Sequence, residues 1–344
     1  MGVRDWLRLF RAQTAPATVF SIVVPYLLAN GDIVNLLWLV PLAILIHFAS
    51  FGHNSLMDYW YDIADPNKRH HPLVTKTISY RRANQVINLL MVVLGIIASM
   101  VALKISPRPH IALLFLLMYI VWGHAYNDGL DKNWVHSWLP ISACFASLAL
   151  YGYYLGPETN ATLALILYVW AFLAVFYQIA VEGNLKDLWN PKDEGNLLKS
   201  FGAIVVREDK EWVIECDKLA YKVFIIASAI VRLVSTFIVA ILALTMFKYS
   251  TLQLIVFLVM HCITTFIETV NVSRITMYAL GVKFTRDDML ACFGKAEAFE
   301  FFRFMTVMLL TNTWWIYFIV LLYGLAWFVG MNKYLWNTRF GPRV

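Results

Sequence analysis

The chain has 344 residues, is 60% hydrophobic and only 15% charged, and carries a formal net charge of +6. Soluble domains average about 25% charged residues, so this composition and a mean hydropathy of +0.64 exclude an ordinary soluble enzyme. The apolar residues fall in long runs, which predicts an all-α, polytopic membrane protein: one domain over residues 1–344, a bundle of about nine transmembrane helices.

In chain order, residues 1–11 read as an amphipathic lead-in on the membrane surface. The spans are then predicted at 14–30, 36–58, 82–104, 110–127, 135–156, 159–186, 218–246, 251–279 and 298–329. The largest polar stretches between them are 59–81, 187–217 and 281–297. Lys68, Arg69, Arg81, Arg82, Lys186, Lys192 and Arg207 share the side of the N-terminus, whereas Lys104, Arg108 and Lys248 fall on the other. That asymmetry predicts a multi-pass protein of the cell membrane with its N-terminus on the cytoplasmic side. Topology thus accounts for the basic charge, and no nucleic-acid partner is expected. The four cysteines are scattered with no CxxC pair, so neither a soft-metal site nor a disulfide framework is expected.

The inner end of the second span reads Asn-Ser-Leu-Met-Asp-Tyr-Trp-Tyr-Asp over residues 54–62. Asn54, Asp58 and Asp62 recur every four residues, so on a helix they drift by only about 40° per step and line one face. Each Asp costs roughly 2.5–3.5 kcal/mol near the middle of a membrane helix, so a matched pair points to function. Asp65 and Pro66 are expected to end the helix. Lys68 and Arg69 then set positive charge just past the acids. Carboxylates beside cations suit Mg²⁺ holding a diphosphate: the acids ligate the metal, and the cations neutralise phosphate oxygens as charge develops. His71, in the same basic loop, is a candidate phosphate contact.

A second acidic cluster follows the sixth span. Asp187 stands at its end, Glu182 just over one turn deeper, and Asn190 and Asp193 continue in three-residue steps. Pro191 argues against one continuous helix through them. Lys186 and Lys192 repeat the pairing of cation with acid. Two oxygen-ligand clusters are what a pair of Mg²⁺ ions on one diphosphate would need, with Asp58, Asp62, Asp187 and Asp193 as ligands. Arg232 in the seventh span and Glu268 in the eighth are intramembrane charges, read either as functional groups or as partners that hold the bundle together.

These residues resemble the UbiA superfamily of intramembrane prenyltransferases. Asn54, Asp58 and Asp62 match its first motif at the end of the second of nine spans, and Lys186 and Asp187 match its second motif at the end of the sixth. His71-Pro-Leu-Val-Thr-Lys76-Thr-Ile-Ser79 is similar to the family's loop segment, with His71 in place of Arg and Lys76 in place of Gly. Asn190 replaces an acid, Asp193 arrives with altered spacing, Gly195 is kept, and Thr-Leu-Pro is missing. Tyr126 to Lys132 keeps part of the family's segment after the fourth span. The resemblance implies Mg²⁺-dependent transfer of a prenyl group from a prenyl diphosphate to a lipid-soluble or phosphorylated acceptor. Asn54, Asp58, Asp62, Asp187 and Asp193 would be catalytic. Lys68, Arg69, His71, Lys186, Asn190, Lys192 and Glu182 would bind substrate, and the faces of Tyr126 and Tyr177 would steady an allylic cation. The alternatives are a secondary transporter using the carboxylates as cation sites, or a non-catalytic member that binds prenyl lipids. Acids confined to helix ends on one side favour the enzyme over the transporter.

Overall fold

The computed structural model describes residues 2–63, 65, 68–130, 135–190, 195–208 and 211–338. Its helices are α1 (Val3–Leu9), α2 (Ala15–Leu28), α3 (Leu36–Met57), α4 (Tyr59–Asp62), α5 (Tyr80–Ile105), α6 (Pro109–Ala125) and α7 (Trp138–Leu155). They continue with α8 (Ala161–Tyr177), α9 (Asn184–Asp187), α10 (Leu197–Ser200), α11 (Leu219–Met246), α12 (Thr251–Ala279), α13 (Arg286–Met305) and α14 (Ile316–Trp336). Among the described residues eight helices are long and apolar enough to cross a membrane, and Ala12–Leu28 is a shorter apolar helix. The expected all-α membrane architecture of about nine spans therefore holds.

The ninth span does not fall where the sequence placed it. Residues 298–329 are not one helix: α13 ends at Met305, a 3₁₀ turn covers Thr306–Leu310, and α14 starts at Ile316. Hydroxyls make the break. The Thr311 Oγ1 hydroxyl donates to the Met308 carbonyl at 2.8 Å and accepts from the Thr313 amide at 3.3 Å. Gln253, in the first turn of α12, donates to the carbonyls of Leu309 and Thr311 at 3.2 and 2.9 Å. These bonds satisfy carbonyls that a continuous helix would have used, as apolar surroundings require.

The chain forms two compact units. The first comprises Met1–Gly129, Ser147–Ala164 and Val320–Val344. In it α1 does more than lie at a surface. The guanidiniums of Arg4 and Arg8 donate to the Leu335 carbonyl at 3.0 and 2.7 Å, closing the C-terminal end of α14 with positive charge where the helix dipole is negative. Gly152 lets α7 approach α2, since a Cβ there would overlap the backbone of Ile22. His47 is a satisfied core residue, with Thr18 Oγ1 at 2.8 Å and the Arg11 carbonyl at 3.1 Å.

The second unit comprises Leu130–Ala146 and Leu165–Ile319. Here β1 (Ile204–Glu208) and β2 (Glu211–Glu215) pair as an antiparallel hairpin, with Val206 opposite Val213. The hairpin was not expected within the polar stretch 187–217. Its signal is the alternation Glu-Trp-Val-Ile-Glu, whose Trp212 and Ile214 are buried in a cluster with Tyr221, Phe284 and Met289. Trp212 and Phe284 also exchange both backbone hydrogen bonds, at 2.8 and 3.1 Å. The polar stretches 187–217 and 281–297 thereby share one apolar core.

Candidate active site

The four-residue spacing of the first motif becomes a physical ladder. The Asp58 amide donates to the Asn54 carbonyl at 2.9 Å and the Asp62 amide to the Asp58 carbonyl at 2.9 Å. Asn54, Asp58 and Asp62 therefore share one helical face through the junction of α3 and α4. Beyond Asp62 the step shortens to three. Asp65 donates its amide to Asp62, Lys68 to Asp65 and His71 to Lys68, at 3.1, 3.0 and 2.8 Å. Under three-residue stepping the side chains at i and i+3 eclipse. Asp58, Asp62, Asp65, Lys68 and His71 are accordingly all buried, while Trp60, Arg69 and His70 between them are exposed.

Asp65, expected only to end the helix, is thus a member of the row. The missed signal is Asp-x-x-Asp-x-x-Lys-x-x-His over residues 62–71. Lys68 Nζ lies 3.7 Å from Asp62 Oδ1. The buried carboxylates of Asp58, Asp62 and Asp65 form an oxygen donor set that suits a hard divalent cation. Arg69 is exposed, so of the two expected cations only Lys68 joins the buried row.

His71 is 2% exposed, and among the described residues neither ring nitrogen has a hydrogen-bond partner in the protein. Burial first, then the charges of Lys68 and Arg11, push its pKa down to about 3, against a smaller opposing pull from Asp58. His71 is therefore neutral in the folded chain. The sign follows: between about 3 and the ordinary 6.5 the unfolded chain binds the extra proton, so stability falls as pH drops through that window and is untouched above it. We expect thermal unfolding in detergent to show this acid lability in wild type and a shallower slope in His71→Gln. Identical slopes would contradict the assignment.

The fourth span adds to the same unit. It ends in a π-helical turn, Tyr126–Leu130, a distortion frequent at functional sites. Asn54 Nδ2 donates to Asn127 Oδ1 at 3.1 Å, tying that turn to the first motif. Tyr126, a candidate cation-facing aromatic, is half-buried on the turn.

The second motif lies in the second unit, also beyond a π-helical turn, Gln178–Gly183. Asp187 and Lys186 form an ion pair at 3.7 Å, each about a quarter exposed. Asn190 donates its amide to the Asp187 carbonyl at 2.9 Å, the first of the expected three-residue steps, and its own carbonyl accepts from Lys199 Nζ. Lys192 and Asp193 lie outside the described residues. Two asparagines with no motif to mark them position this segment. Asn184 takes the Leu197 amide at 2.6 Å and gives to the Ile179 carbonyl at 2.6 Å, and Asn196 gives to the Asn184 carbonyl at 2.9 Å.

Two residues expected as substrate contacts are engaged within the protein. Glu182 is 1% exposed, and its Oε1 lies 3.2 Å from Arg232 Nη1. Tyr177 is buried, and its ring lies 4.7 Å from the same guanidinium, so one cation already covers it. Of the two readings for Arg232 and Glu268, the structure supports pairing: Arg232 Nε meets Glu268 at 3.1 Å and Nη2 meets Glu300 at 2.9 Å. Arg303 Nε also reaches Glu268, at 3.1 Å. Glu300 and Arg303 were hidden inside the supposed ninth span.

A family model described as the UbiA prenyltransferase family matches residues 17–264. A search of curated proteins gives no match. Among solved structures, a UbiA homologue from Archaeoglobus fulgidus bound to GPP and Mg²⁺ is similar with a TM-score of 0.55 at 15% identity, covering 88% of this chain and 99% of its own. An apo UbiA homologue from Aeropyrum pernix K1 gives a TM-score of 0.56 at 13% identity, covering 83% and 94%. A structure described as a study of digeranylgeranylglyceryl phosphate synthase in membranes gives 0.53 at 15% identity, covering 96% and 99%. With the family's model matched over most of its length, its apolar helices and its fold in common with two UbiA homologues, the chain is a multi-pass membrane protein that belongs to the UbiA prenyltransferase family.

Proposed function

We propose that this chain transfers a prenyl group from a prenyl diphosphate to a lipid-soluble or phosphorylated acceptor, as a step in making a membrane lipid or quinone precursor. The observation that carries the reading is the buried row Asp58, Asp62, Asp65, Lys68, His71 at the inner end of the second span. Its carboxylates would hold Mg²⁺, which supplies charge stabilisation to the departing diphosphate. Lys68 places an ammonium beside that charge, and Arg69, Lys186, Asn190 and Lys192 are further candidates for phosphate oxygens. Asp187 and Asp193 would ligate the metal as well. The allylic C–O bond breaks, its electron pair leaves with the diphosphate, a nucleophilic atom of the acceptor bonds to the allylic carbon, and the proton that atom carried leaves with the released diphosphate. Buried, apolar surroundings keep water from trapping the cation. The A. fulgidus homologue described with GPP and Mg²⁺, and the digeranylgeranylglyceryl phosphate synthase fold, support this donor and metal.

Metal removal tests the reading. Purified protein given radiolabelled geranylgeranyl diphosphate and a panel of acceptors should lose transfer in EDTA and regain it with Mg²⁺ or Mn²⁺. Full turnover after metal stripping would sink the oxygen-ligand site.

The distribution of Lys and Arg supports a cytoplasmic N-terminus and cytoplasmic acidic motifs. A cysteine introduced at the exposed Thr75 should then react with an impermeant maleimide only from the side of the N-terminus. Reaction from the opposite side alone would overturn this orientation.

A further inference from the structure

Beside the first motif, and apart from its oxygen donors, stands a cluster of a different chemistry. His53 Nε2 lies 3.7 Å from Asp128 Oδ1, and His124 Nδ1 lies 3.4 Å from Asp128 Oδ2. The three ligand atoms all lie within 4.8 Å of one another. We propose that His53, His124 and Asp128 form a second metal site, for a zinc-class divalent transition metal, distinct from the carboxylate row. Adjacent ligands around a tetrahedral zinc with bonds near 2.0–2.1 Å stand about 3.3 Å apart, so side-chain shifts of up to about 1.5 Å close the site. Two imidazoles and one carboxylate select a borderline metal over Mg²⁺, which prefers oxygen donors. Three protein ligands also leave a position open for water or an anion.

Local structure builds the cluster deliberately. His124 and Asp128 are four residues apart, at the point where α6 passes into its π-helical turn. Their side chains are 41% and 50% exposed, so a metal can enter and exchange, whereas His53 is 12% exposed and fixed from behind. Its Nδ1 accepts from Asn127 Nδ2 at 3.1 Å, and Asn127 Oδ1 accepts from Asn54 Nδ2. That chain puts the His53 proton on Nε2, facing Asp128. Metal at Nε2 would move the proton to Nδ1 and turn over both amides, so that Asn127 offers its oxygen to His53 and its NH₂ to Asn54. A second-shell hydrogen bond of this kind orients a metal-bound imidazole. Occupancy would thus fasten the Tyr126–Leu130 turn to α3 next to the first acidic motif.

The test is equilibrium dialysis of tag-free protein against Zn²⁺ in a roughly 100-fold excess of Mg²⁺, with melting temperature as a second readout. Wild type should retain about one zinc per chain and melt higher with Zn²⁺ than without. His124→Ala and Asp128→Asn should each bind at least about tenfold more weakly and lose the thermal shift, while Asp58→Asn should keep both. Either half-exposed ligand decides the matter alone if the other variant fails to fold. No zinc retained by wild type, unchanged binding in both ligand variants, or loss only in Asp58→Asn would each overturn the site.

Discussion

Asp58→Ala and Asp62→Ala should each fold, keep most of their affinity for the prenyl diphosphate, and lose nearly all transfer. In the proposed reaction the apolar tail of the donor would still bury itself without either carboxylate. In the proposed reaction the carboxylates act where charge develops, as the C–O bond breaks, so their removal is expected to fall on the rate. Losing one such contact typically lowers kcat by about 10²–10³. Folding should survive because the backbone ladder Asn54–Asp58–Asp62 is made by amides and carbonyls, which Ala keeps. Asp65→Ala, by its place in the same row, should lose transfer too. Near-normal transfer by Asp58→Ala in liposomes would refute the site, and a donor Kd that rises as steeply as kcat falls would move the role of these acids from catalysis to binding.

The parts of this molecule that could be read in the sequence are those governed by a single period. Long apolar runs gave the spans, and the four-residue repeat Asn54, Asp58, Asp62 gave a shared helical face, because an α-helix keeps that period by itself. The row was lost where the period changed. From Asp62 onward the step is three, and Asp65 looked like a helix terminator because Pro66 follows it. The break between α13 and α14 was illegible for a related reason. Residues 298–329 are apolar enough to pass as one span, whereas the Thr311 hydroxyl and the distant Gln253 side chain satisfy the carbonyls at the break. The hairpin was short and lay in charged sequence, and its buried side is visible only against Tyr221 and Phe284 from elsewhere in the chain. The pairing of Glu182 was illegible for a different reason: its partner, Arg232, lies 50 residues further on.

Arg232→Leu should be the most destabilising single change in the second unit. Its guanidinium donates from Nη1 to Glu182 and from Nε to Glu268, its Nη2 stands in an ion pair with Glu300 at 2.9 Å, and all four side chains are buried. A leucine would fill much of the volume but strand carboxylates in apolar surroundings. Breaking a buried ion pair by removing one partner typically costs about 3–5 kcal/mol, a large share of the 5–15 kcal/mol that holds a typical domain. Arg303 cannot take over, since its Nε already meets Glu268 and its Nη2 donates to the Leu233 carbonyl at 3.2 Å. Arg232→Lys should recover only part of the loss, because one ammonium on a flexible stem cannot reproduce a planar fork aimed at three acids. Glu182→Gln should be mild, since it removes one of three carboxylates that share two guanidiniums and leaves an acceptor for Nη1. The order of melting temperatures in detergent is therefore expected as wild type and Glu182→Gln highest, Arg232→Lys between, and Arg232→Leu lowest or unable to give monodisperse protein. If Arg232→Leu melts with wild type while losing transfer, Arg232 serves the reaction rather than the fold, and the pairing read from these distances is not what keeps a charge in the seventh span.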